Sequence, residues 1–362
     1  MLDTALKVLK KIEDHGFKAY IVGGYVRDHL LSRDSLDIDI ATNAKPMDIK
    51  QIFSDIFIPK MEYGSVTVFY HNIRFEITTF RKEYTYLNNR KPVEFEYIND
   101  LKEDLLRRDF VINTICMDSN GDIIDLLDGK KDLVKQEINT VGNSYDKFQE
   151  DSLRILRAIR FATILDFKLS NEVKEAIKKT KSNLVHLSYQ RKKEELDKIF
   201  SSSNAKYGIE LLQELELDKD LEIYNLDEIN LNVDIIGIWA LLDTSDKYPF
   251  SKSEKELIHK IREAMDEDNL SNEVLYRYGL YVNSIAGVLK GLDKRKITTK
   301  YEKLPITNKK DINITSQEIM EILNKNSGKY IKEIYNDLVN LILNDKIEND
   351  NQKIKEYILQ KY

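Results

Sequence analysis

Ile21-Val22-Gly23-Gly24-Tyr25-Val26-Arg27-Asp28, followed downstream by Asp37-Ile38-Asp39, decides how the rest of the chain is read. An apolar run meets a glycine pair and then a helix-compatible stretch, so strand, tight turn and helix are predicted in that order. A second strand is predicted over 36–41 and carries two carboxylates. Strand side chains repeat every two residues, which puts Asp37 and Asp39 on one face. Two hard oxygen donors there suit a Mg²⁺ ion that holds a triphosphate. Glycines let backbone N–H groups come close to phosphate oxygens, and Arg27 adds positive charge. The combination points to a phosphoryl or nucleotidyl transferase. It is not the dinucleotide fingerprint, because no G-x-G-x-x-G is present, and not a P-loop, because no G-K-[ST] follows. A kinase-like H-R-D…N set is absent from the sequence.

At 362 residues the chain is longer than one compact core favours, and two or more domains are expected. It is 42% hydrophobic and 33% charged, the balance of a folded, soluble protein. With 13 glycines and 5 prolines there are few interruptions to helices, so a mainly helical chain is expected. A formal net charge of −6 argues against bulk electrostatic binding of nucleic acid and leaves room for a local basic surface. The single cysteine, Cys116, excludes an intrachain disulfide and reads as a core residue. The start, Met1 to Gly16, predicts an amphipathic helix with Leu2, Leu6, Leu9 and Ile12 near one face, and it has the marks of neither a signal nor a transit peptide. No apolar run approaches the ~18 residues of a membrane span. A cytoplasmic location is expected.

Up to about Lys135 the pattern is mixed α/β, with about five strands. Ala19–Gly23 reads as the first, and Pro46–Phe57 as a helix with proline near its first turn. Ser65–Tyr70 and Ile73–Phe80 predict a hairpin across His71-Asn72, and Val111–Met117 with Asp122–Leu127 predict another around Ser119-Asn120-Gly121. Beyond Tyr145 helical periodicities follow one another: Ser152–Leu165, Asn171–Lys181, Gln190–Phe200. From Thr244 to Tyr362 a helical bundle is expected, with Thr315-Ser316-Gln317-Glu318 as a capping box.

Three further features carry chemistry. Glu76 sits in an apolar strand and needs a reason to be there, either a third acid beside the aspartates or a partner for a nearby cation. Arg107-Arg108-Asp109-Phe110 reads as an ion pair at a strand entry, or as an arginine on a triphosphate steadied by Asp109, with Asn113 ordering the junction. Glu150-Asp151-Ser152-Leu153-Arg154, extended by Arg157 and Arg160, places a charged stripe along a helix in steps of three. Those arginines have few acids within helical reach, so they are expected to face an anionic ligand.

With these clusters in place the chain resembles class II tRNA nucleotidyltransferases, the CCA-adding enzymes, and the related bacterial poly(A) polymerases. Five motifs match in order: Gly23-Gly24-x-Val26-Arg27-Asp28 with Asp37 and Asp39; Arg107-Arg108-Asp109-Phe110; Asp128-Gly129; Glu150-Asp151-x-x-Arg154; and a weaker one at Gln190-Arg191…Glu194-Glu195-Leu196, where Gln190 stands in place of the family's more frequent Glu. The match covers about residues 15–200.

The resemblance implies an α+β head of the DNA polymerase beta nucleotidyltransferase type, with an about five-stranded mixed sheet, followed by an all-α neck, body and tail in a seahorse-like arrangement. On that basis 1–138 is expected to be the catalytic head, 139–204 the neck that selects the nucleobase, and 205–362 the body and tail that bind tRNA. The implied activity is transfer of CMP, CMP and AMP to the tRNA 3′ end without a nucleic-acid template, from CTP and ATP with two Mg²⁺ ions. Carried over by position, Asp37 and Asp39 look like the catalytic metal ligands. Gly24, Arg27 and Arg108 look like triphosphate or nucleotide contacts, Asp151 and Arg154 like the base-reading pair, and Arg157 and Arg160 like further nucleotide contacts.

The chemistry of the bases agrees with that carry-over. Cytosine and adenine each present an amine donor beside a ring-nitrogen acceptor, which an aspartate acceptor and an arginine donor complement. Uracil and guanine reverse both polarities, at about 1–3 kcal/mol per lost partner. The segment Thr79-Phe80-Arg81-Lys82-Glu83-Tyr84…Tyr86…Arg90-Lys91-Pro92 resembles the flexible loop that CC-adding members lack, which favours an enzyme able to add the terminal A. An A-adding enzyme or a poly(A) polymerase shares every catalytic residue, whereas intact Asp37 and Asp39 speak against a non-catalytic RNA-binding relative. A His-Asp dipeptide, which an appended phosphohydrolase would need, does not occur. The tRNA acceptor and T-arm are the expected partner, recognised by shape. Lys290, Lys294, Arg295, Lys296, Lys300 and Lys303 offer a basic stretch for its phosphates. Neither a membrane nor a protein partner is implied.

Overall fold

The apolar run Ala19–Val22 becomes β1, inside a seven-stranded mixed sheet of the computed structural model. The structure describes residues 1–362 apart from 36, 54, 55, 61–63, 88–90 and 245, and apart from the side chains of 56–60, 85–87, 91–94 and 243. The other strands are β2 (Asp39–Thr42), β3 (Ile56–Lys60), β4 (Ser65–Tyr70), β5 (Ile73–Thr79), β6 (Arg81–Leu87), β7 (Lys91–Tyr97), β8 (Cys116–Met117) and β9 (Ile123–Ile124). The sheet order is β3-β4-β5-β2-β1-β8-β9, while β6 and β7 form a separate ribbon. Only β2 and β5 run parallel within the sheet. His71 and Asn72 have φ of 50° and 62°, the two positive values that a tight two-residue hairpin turn requires.

Helices α1 (Leu2–Glu13), α2 (Gly24–Leu30), α3 (Pro46–Ile52), α4 (Leu101–Leu106) and α5 (Gly129–Lys135) accompany the sheet. Several predicted boundaries shift. The helix expected to reach Phe57 stops at Ile52, because Phe53 is already extended and Ile56 onward pairs with β4. The strand expected from 36 starts at Asp39, so Asp37 lies just outside it. The strand expected over Val111–Met117 opens instead with a single 3₁₀ turn at Val111–Asn113, where Asn113 is buried and bonded to Arg27. In α1 the buried face is Ala5, Val8, Leu9 and Ile12, one step round from the one expected.

The chain forms two compact units, Met1–Ile223 and Tyr224–Tyr362. Beyond the sheet, the first unit contains β10 (Glu137–Ile138) paired in parallel with β11 (Lys168–Leu169). It also contains α6 (Ser144–Glu150), α7 (Leu153–Leu165), α8 (Asn171–Thr180), α9 (Tyr189–Phe200), α10 (Ala205–Glu214) and α11 (Asp218–Leu221). α7 is the hub: it packs on both α9 and α10 and buries Ile155, Leu156, Ala158 and Ile159 completely. The second unit contains α12 (Ile235–Leu241), α13 (Lys252–Met265), α14 (Asn272–Leu289), α15 (Lys294–Glu302), α16 (Ser316–Leu323), α17 (Tyr330–Leu343) and α18 (Asn351–Lys361). Ile319, Ile334, Leu338, Ile354 and Ile358 form part of its core, and Thr315 with Glu318 makes the expected capping box on α16. No helix among the described residues is long and apolar enough to cross a membrane.

Gly129, of the Asp128-Gly129 motif, opens α5 against the Val111–Asn113 turn. A Cβ there would lie 2.6 Å from Ile115 Cγ1 and 2.8 Å from the Val111 carbonyl oxygen. Backbone cannot move aside as a side-chain tip can, so Gly129→Ala is expected to cost about 1–3 kcal/mol of stability. A shift of the urea midpoint to lower concentration at unchanged slope checks this; an unchanged midpoint contradicts the packing argument.

Candidate active site

Gly23 ends β1 with φ of 78° and caps α2. That left-handed conformation is open to glycine at little cost, and it turns the chain tightly over the sheet end. A Cβ on Gly23 would lie 3.9 Å from Asp39 Oδ2 and 3.8 Å from Arg108 Nη1, so the turn, the acid and the arginine share one place. Strand register completes the cluster: Val22 pairs with Asp39, and Asp39 with Glu76. A cavity of about 280 Å³ here is lined by Asp39, Glu76, Thr78, Arg81, Arg107 and Arg108 among others.

Asp39 keeps solvent access, yet its carboxyl is pushed above the ordinary range. Crowding by surrounding protein is the largest cause, the Glu76 carboxylate adds to it, Arg108 opposes it, and Asp37 adds a further push. Asp37 itself is exposed. Asp37, Asp39 and Glu76 supply hard oxygen donors that suit a divalent cation, while Arg81, Arg107 and Arg108 line the same cavity. Among the described residues no group of three or more His, Cys, Asp or Glu side chains converges as a metal cage. The fit to a cation therefore rests on Asp37 and Asp39, with Glu76 beside them.

The arginines are arranged by acids. Asp104, almost fully buried in α4, accepts from Arg107 Nε and Nη2 at 2.9 and 2.7 Å, from Arg108 Nη2 at 3.3 Å and from the Arg81 backbone N–H at 3.1 Å. Burial disfavours its charge, but the two arginines outweigh burial and hold its carboxyl below the usual range. Arg108 Nε is buried without a hydrogen-bond partner among the described residues. Arg27 is held elsewhere: Nε donates to Asp28 at 2.9 Å, Nη1 donates to Asn113 at 2.7 Å, and the guanidinium sits 5.1 Å from the Phe161 ring. Gly24 begins the same helix, and Arg27 lines neither cavity described here.

A second cavity, of about 320 Å³, is lined by Asp151, Arg154, Arg157 and Arg191 together with Arg81, Glu83, Arg107, Arg108 and Asp109. Arg81, Arg107 and Arg108 thus wall both cavities. The expected continuous stripe from Glu150 to Arg160 is broken, because Asp151 is extended between α6 and α7. That break turns its carboxyl into the cavity: Oδ1 accepts from the Leu153 N–H at 3.0 Å, and Oδ2 lies 3.7 Å from Arg191 Nη2. Burial raises the Asp151 pKa, and Arg191 is the largest opposing influence.

Few acids lie within helical reach of the arginine stripe, as expected, yet each arginine has an acid partner. Arg154 pairs with Glu150 and also donates to the carbonyls of Lys147 at 3.0 Å and Arg107 at 3.3 Å. Arg157 donates from Nε to Asp109 at 2.7 Å, and Arg160 lies 3.2 Å from Glu195 on α9. All three partners lie outside α7, and two of them, Asp109 and Glu195, are too distant along the chain for helical spacing to show. Phe161 adds a shared anchor, its ring centroid 5.1 Å from Arg27, 5.4 Å from Arg157 and 4.5 Å from Arg160. Asp104 and Arg191 are the residues the sequence reading passed over as site members. The D-x-x-R-R spacing was a visible signal for Asp104, and the Gln190-Arg191 motif was one for Arg191.

The segment Thr79–Pro92, expected as a loop, is built differently. Thr79 ends β5, and Arg81 onward forms the β6–β7 ribbon. Its root is tied down by Arg81 to Glu83 at 2.7 Å and by Arg107 Nε to the Arg81 carbonyl at 3.1 Å. Arg90 lies outside the described residues.

Residues 19–139 match the "Poly A polymerase head domain", and 166–221 match the "Probable RNA and SrmB- binding site of polymerase A". Residues 244–358 match tRNA nucleotidyltransferase domain 2. The CCA-adding enzyme of Ligilactobacillus salivarius is 36% identical over 97% of this chain and 95% of its own. The chain belongs to the CCA-adding enzyme family. The Listeria innocua CCA-adding enzyme is 34% identical over 98% of this chain and 97% of its own. Among solved structures, the Bacillus stearothermophilus CCA-adding enzyme in complex with CTP superposes with a TM-score of 0.85 at 27% identity, covering 99% of this chain and 96% of that one. The expected head with helical domains after it is the architecture of this family.

The Asp109–Arg157 pair gives a pH-dependent test. Burial opposes charge on Asp109, but Arg157 and the Phe110 N–H outweigh it and hold the carboxyl down to about 2. A depressed folded-state pKa stabilises the fold above the unfolded-state value of about 4, and that share is lost as pH falls towards about 2. Asp109→Asn is expected to lose about 1–3 kcal/mol at neutral pH, with the gap to the parent closing below about pH 4. Denaturant titrations across pH check this; a gap independent of pH contradicts the pairing.

Proposed function

We propose that this protein adds CCA to the 3′ end of tRNA, taking CTP and ATP and using no nucleic-acid template. Membership of the CCA-adding enzyme family supports the reaction. The observation that carries the template-free reading is the adjoining of two cavities across Arg81, Arg107 and Arg108. One contains the carboxylates and the other Asp151 with Arg154. A nucleotide with its phosphates beside Asp39 would present its base to residues 151 and 154.

The roles follow from chemistry. Arg108, whose Nη1 lies beside the glycine turn, has a buried Nε without a partner among the described residues, which favours an anionic phosphate there. We assign Gly24 and Arg27 to the same end of the substrate, Arg27 acting from behind the turn, and Arg157 and Arg160 to the nucleotide wall. Asp151 would accept the exocyclic amine of cytosine or adenine while Arg154 donates to the ring nitrogen. Asp37 and Asp39 would hold the family's metal, which we take to be Mg²⁺. When bound, a pair of such ions lowers the pKa of the tRNA 3′-hydroxyl and offsets charge on the departing pyrophosphate.

We further propose a division of labour in which 1–138 is catalytic, 139–204 selects the base and 205–362 binds tRNA, with 205–223 packed onto the neck helices. The exposed residues Lys294, Arg295, Lys296 and Lys300 on α15, flanked by Lys290 and Lys303, suit the phosphates of the acceptor and T-arm. The cytoplasm, where tRNA is matured, is the proposed location.

Purified protein given tRNA lacking CCA is expected to add C alone from CTP and the full CCA from CTP with ATP. Long A tails on arbitrary RNA would mark a poly(A) polymerase instead, and A addition only to tRNA already ending in CC would mark an A-adding enzyme. Asp39→Asn is expected to lower incorporation by about a thousandfold or more while sparing tRNA binding; near-normal turnover removes the assigned role. Reversing the charge of Lys294, Lys296 and Lys300 is expected to weaken tRNA binding and reduce its salt slope by about one per lost contact. An unchanged slope excludes that surface.

A further inference from the structure

We propose that Arg191 keeps Asp151 in its ionised, acceptor-only form, and so sets how strongly uracil and guanine are refused. This rests on the reading above in which Asp151 and Arg154 face the incoming base.

The geometry is that of a charge partner that leaves the acceptor open. Arg191 Nη2 stands 3.7 Å from Asp151 Oδ2, within ion-pair range and beyond hydrogen-bond length. Oδ1 is already occupied by the Leu153 N–H. Oδ2 therefore keeps lone pairs for a ligand in the cavity that both residues line. Arg191 reaches across from α9, whereas Asp151 sits at the break before α7.

The other charges around Asp151 are committed elsewhere. On α7, Arg154 is held by Glu150 and two carbonyls, and Arg157 by Asp109. On α6, Lys147 pairs with Glu150 at 3.3 Å. After α4, Arg107 and Arg108 belong to Asp104, and on β6 Arg81 pairs with Glu83. On α9, Glu195 takes Arg160. Among the described residues Arg191 forms its one ion pair with Asp151. Burial works against the Asp151 charge, and of the opposing influences Arg191 is the largest, ahead of Arg154 and Arg157.

The chemical consequence is specific. A carboxylate only accepts hydrogen bonds, and so welcomes the amine of cytosine or adenine. A carboxylic acid also donates, and so welcomes the carbonyl of uracil or guanine. Protonation of Asp151 erases one of the two polarity checks and leaves the check made by Arg154. Loss of Arg191 raises the pH at which this happens. Errors then grow more steeply with falling pH in the variant than in the parent.

The test is competition between UTP and CTP, and between GTP and ATP, in one reaction on tRNA lacking CCA, so that general effects of pH on rate cancel. From about pH 8 to about pH 5.5, Arg191→Gln and Arg191→Ala are expected to raise the ratio of wrong to right nucleotide by about tenfold. Arg191→Lys, which keeps the charge, is expected to restore the parent's profile. Asp151→Asn is expected to raise the ratio equally at every pH. If Asp151→Asn alters selection while Arg191→Gln and Arg191→Ala follow the parent, the role of Arg191 is overturned and base reading stands. If Asp151→Asn leaves selection unchanged, base reading itself fails and takes this proposal with it. A poorly folded Arg191→Ala leaves the comparison of Gln with Lys decisive.

Discussion

Asp104 is the point on which the site depends. This buried carboxylate on α4 fixes Arg107 and Arg108 and accepts the backbone N–H at the root of the β6–β7 ribbon. The two arginines then stand between the carboxylate cleft and the Asp151 cavity, and the Arg107 carbonyl accepts a bond from Arg154. One side chain thereby links α4, the root of the ribbon and, through Arg107, α7. An unpaired charge at that depth would be costly, so the arrangement holds only while every partner is present. That dependence is what makes the geometry well defined.

The same logic extends along α7. Arg154, Arg157 and Arg160 are all paired, and Phe161 offers its ring to two of them and to Arg27. Guanidiniums fixed in this way cannot swing to follow a ligand, so their donors point in set directions before a nucleotide arrives. On the proposed reading, a site that tells amine from carbonyl without a pairing strand needs such fixed directions, because flexible donors would adapt to the wrong base. Asp151 is the acidic counterpart: it lies outside the helix, where its carboxylate faces the cavity rather than a helical neighbour.

Much of this was legible in the chain. The strand-glycine-helix start and the His71-Asn72 hairpin follow from local chemistry, and local chemistry survived folding, whereas of the acidic pair only Asp39 lies on the strand. What could not be read were contacts between distant segments. Arg157 finds Asp109, 48 positions away, and Arg160 finds Glu195, 35 positions away. Helical spacing sees only neighbours three or four residues off, so the stripe looked short of acids. The short strands failed for a related reason. Asn113 is buried by its bond to Arg27 on α2, and that distant demand replaced a predicted strand with a 3₁₀ turn. The β3 strand, read as the end of a helix, exists because β4 offers it a pairing edge.

The central claim is that protein side chains, rather than a complementary strand, read the base within reach of the catalytic acids. A crystal structure of this protein with CTP and a divalent cation tests it most directly. The account predicts the cytosine amine within hydrogen-bond distance of Asp151 and the ring nitrogen within reach of Arg154, with the triphosphate at Asp39 and Arg108. A bound CTP whose base lies away from residues 151 and 154 while its phosphates sit at Asp39 would contradict it.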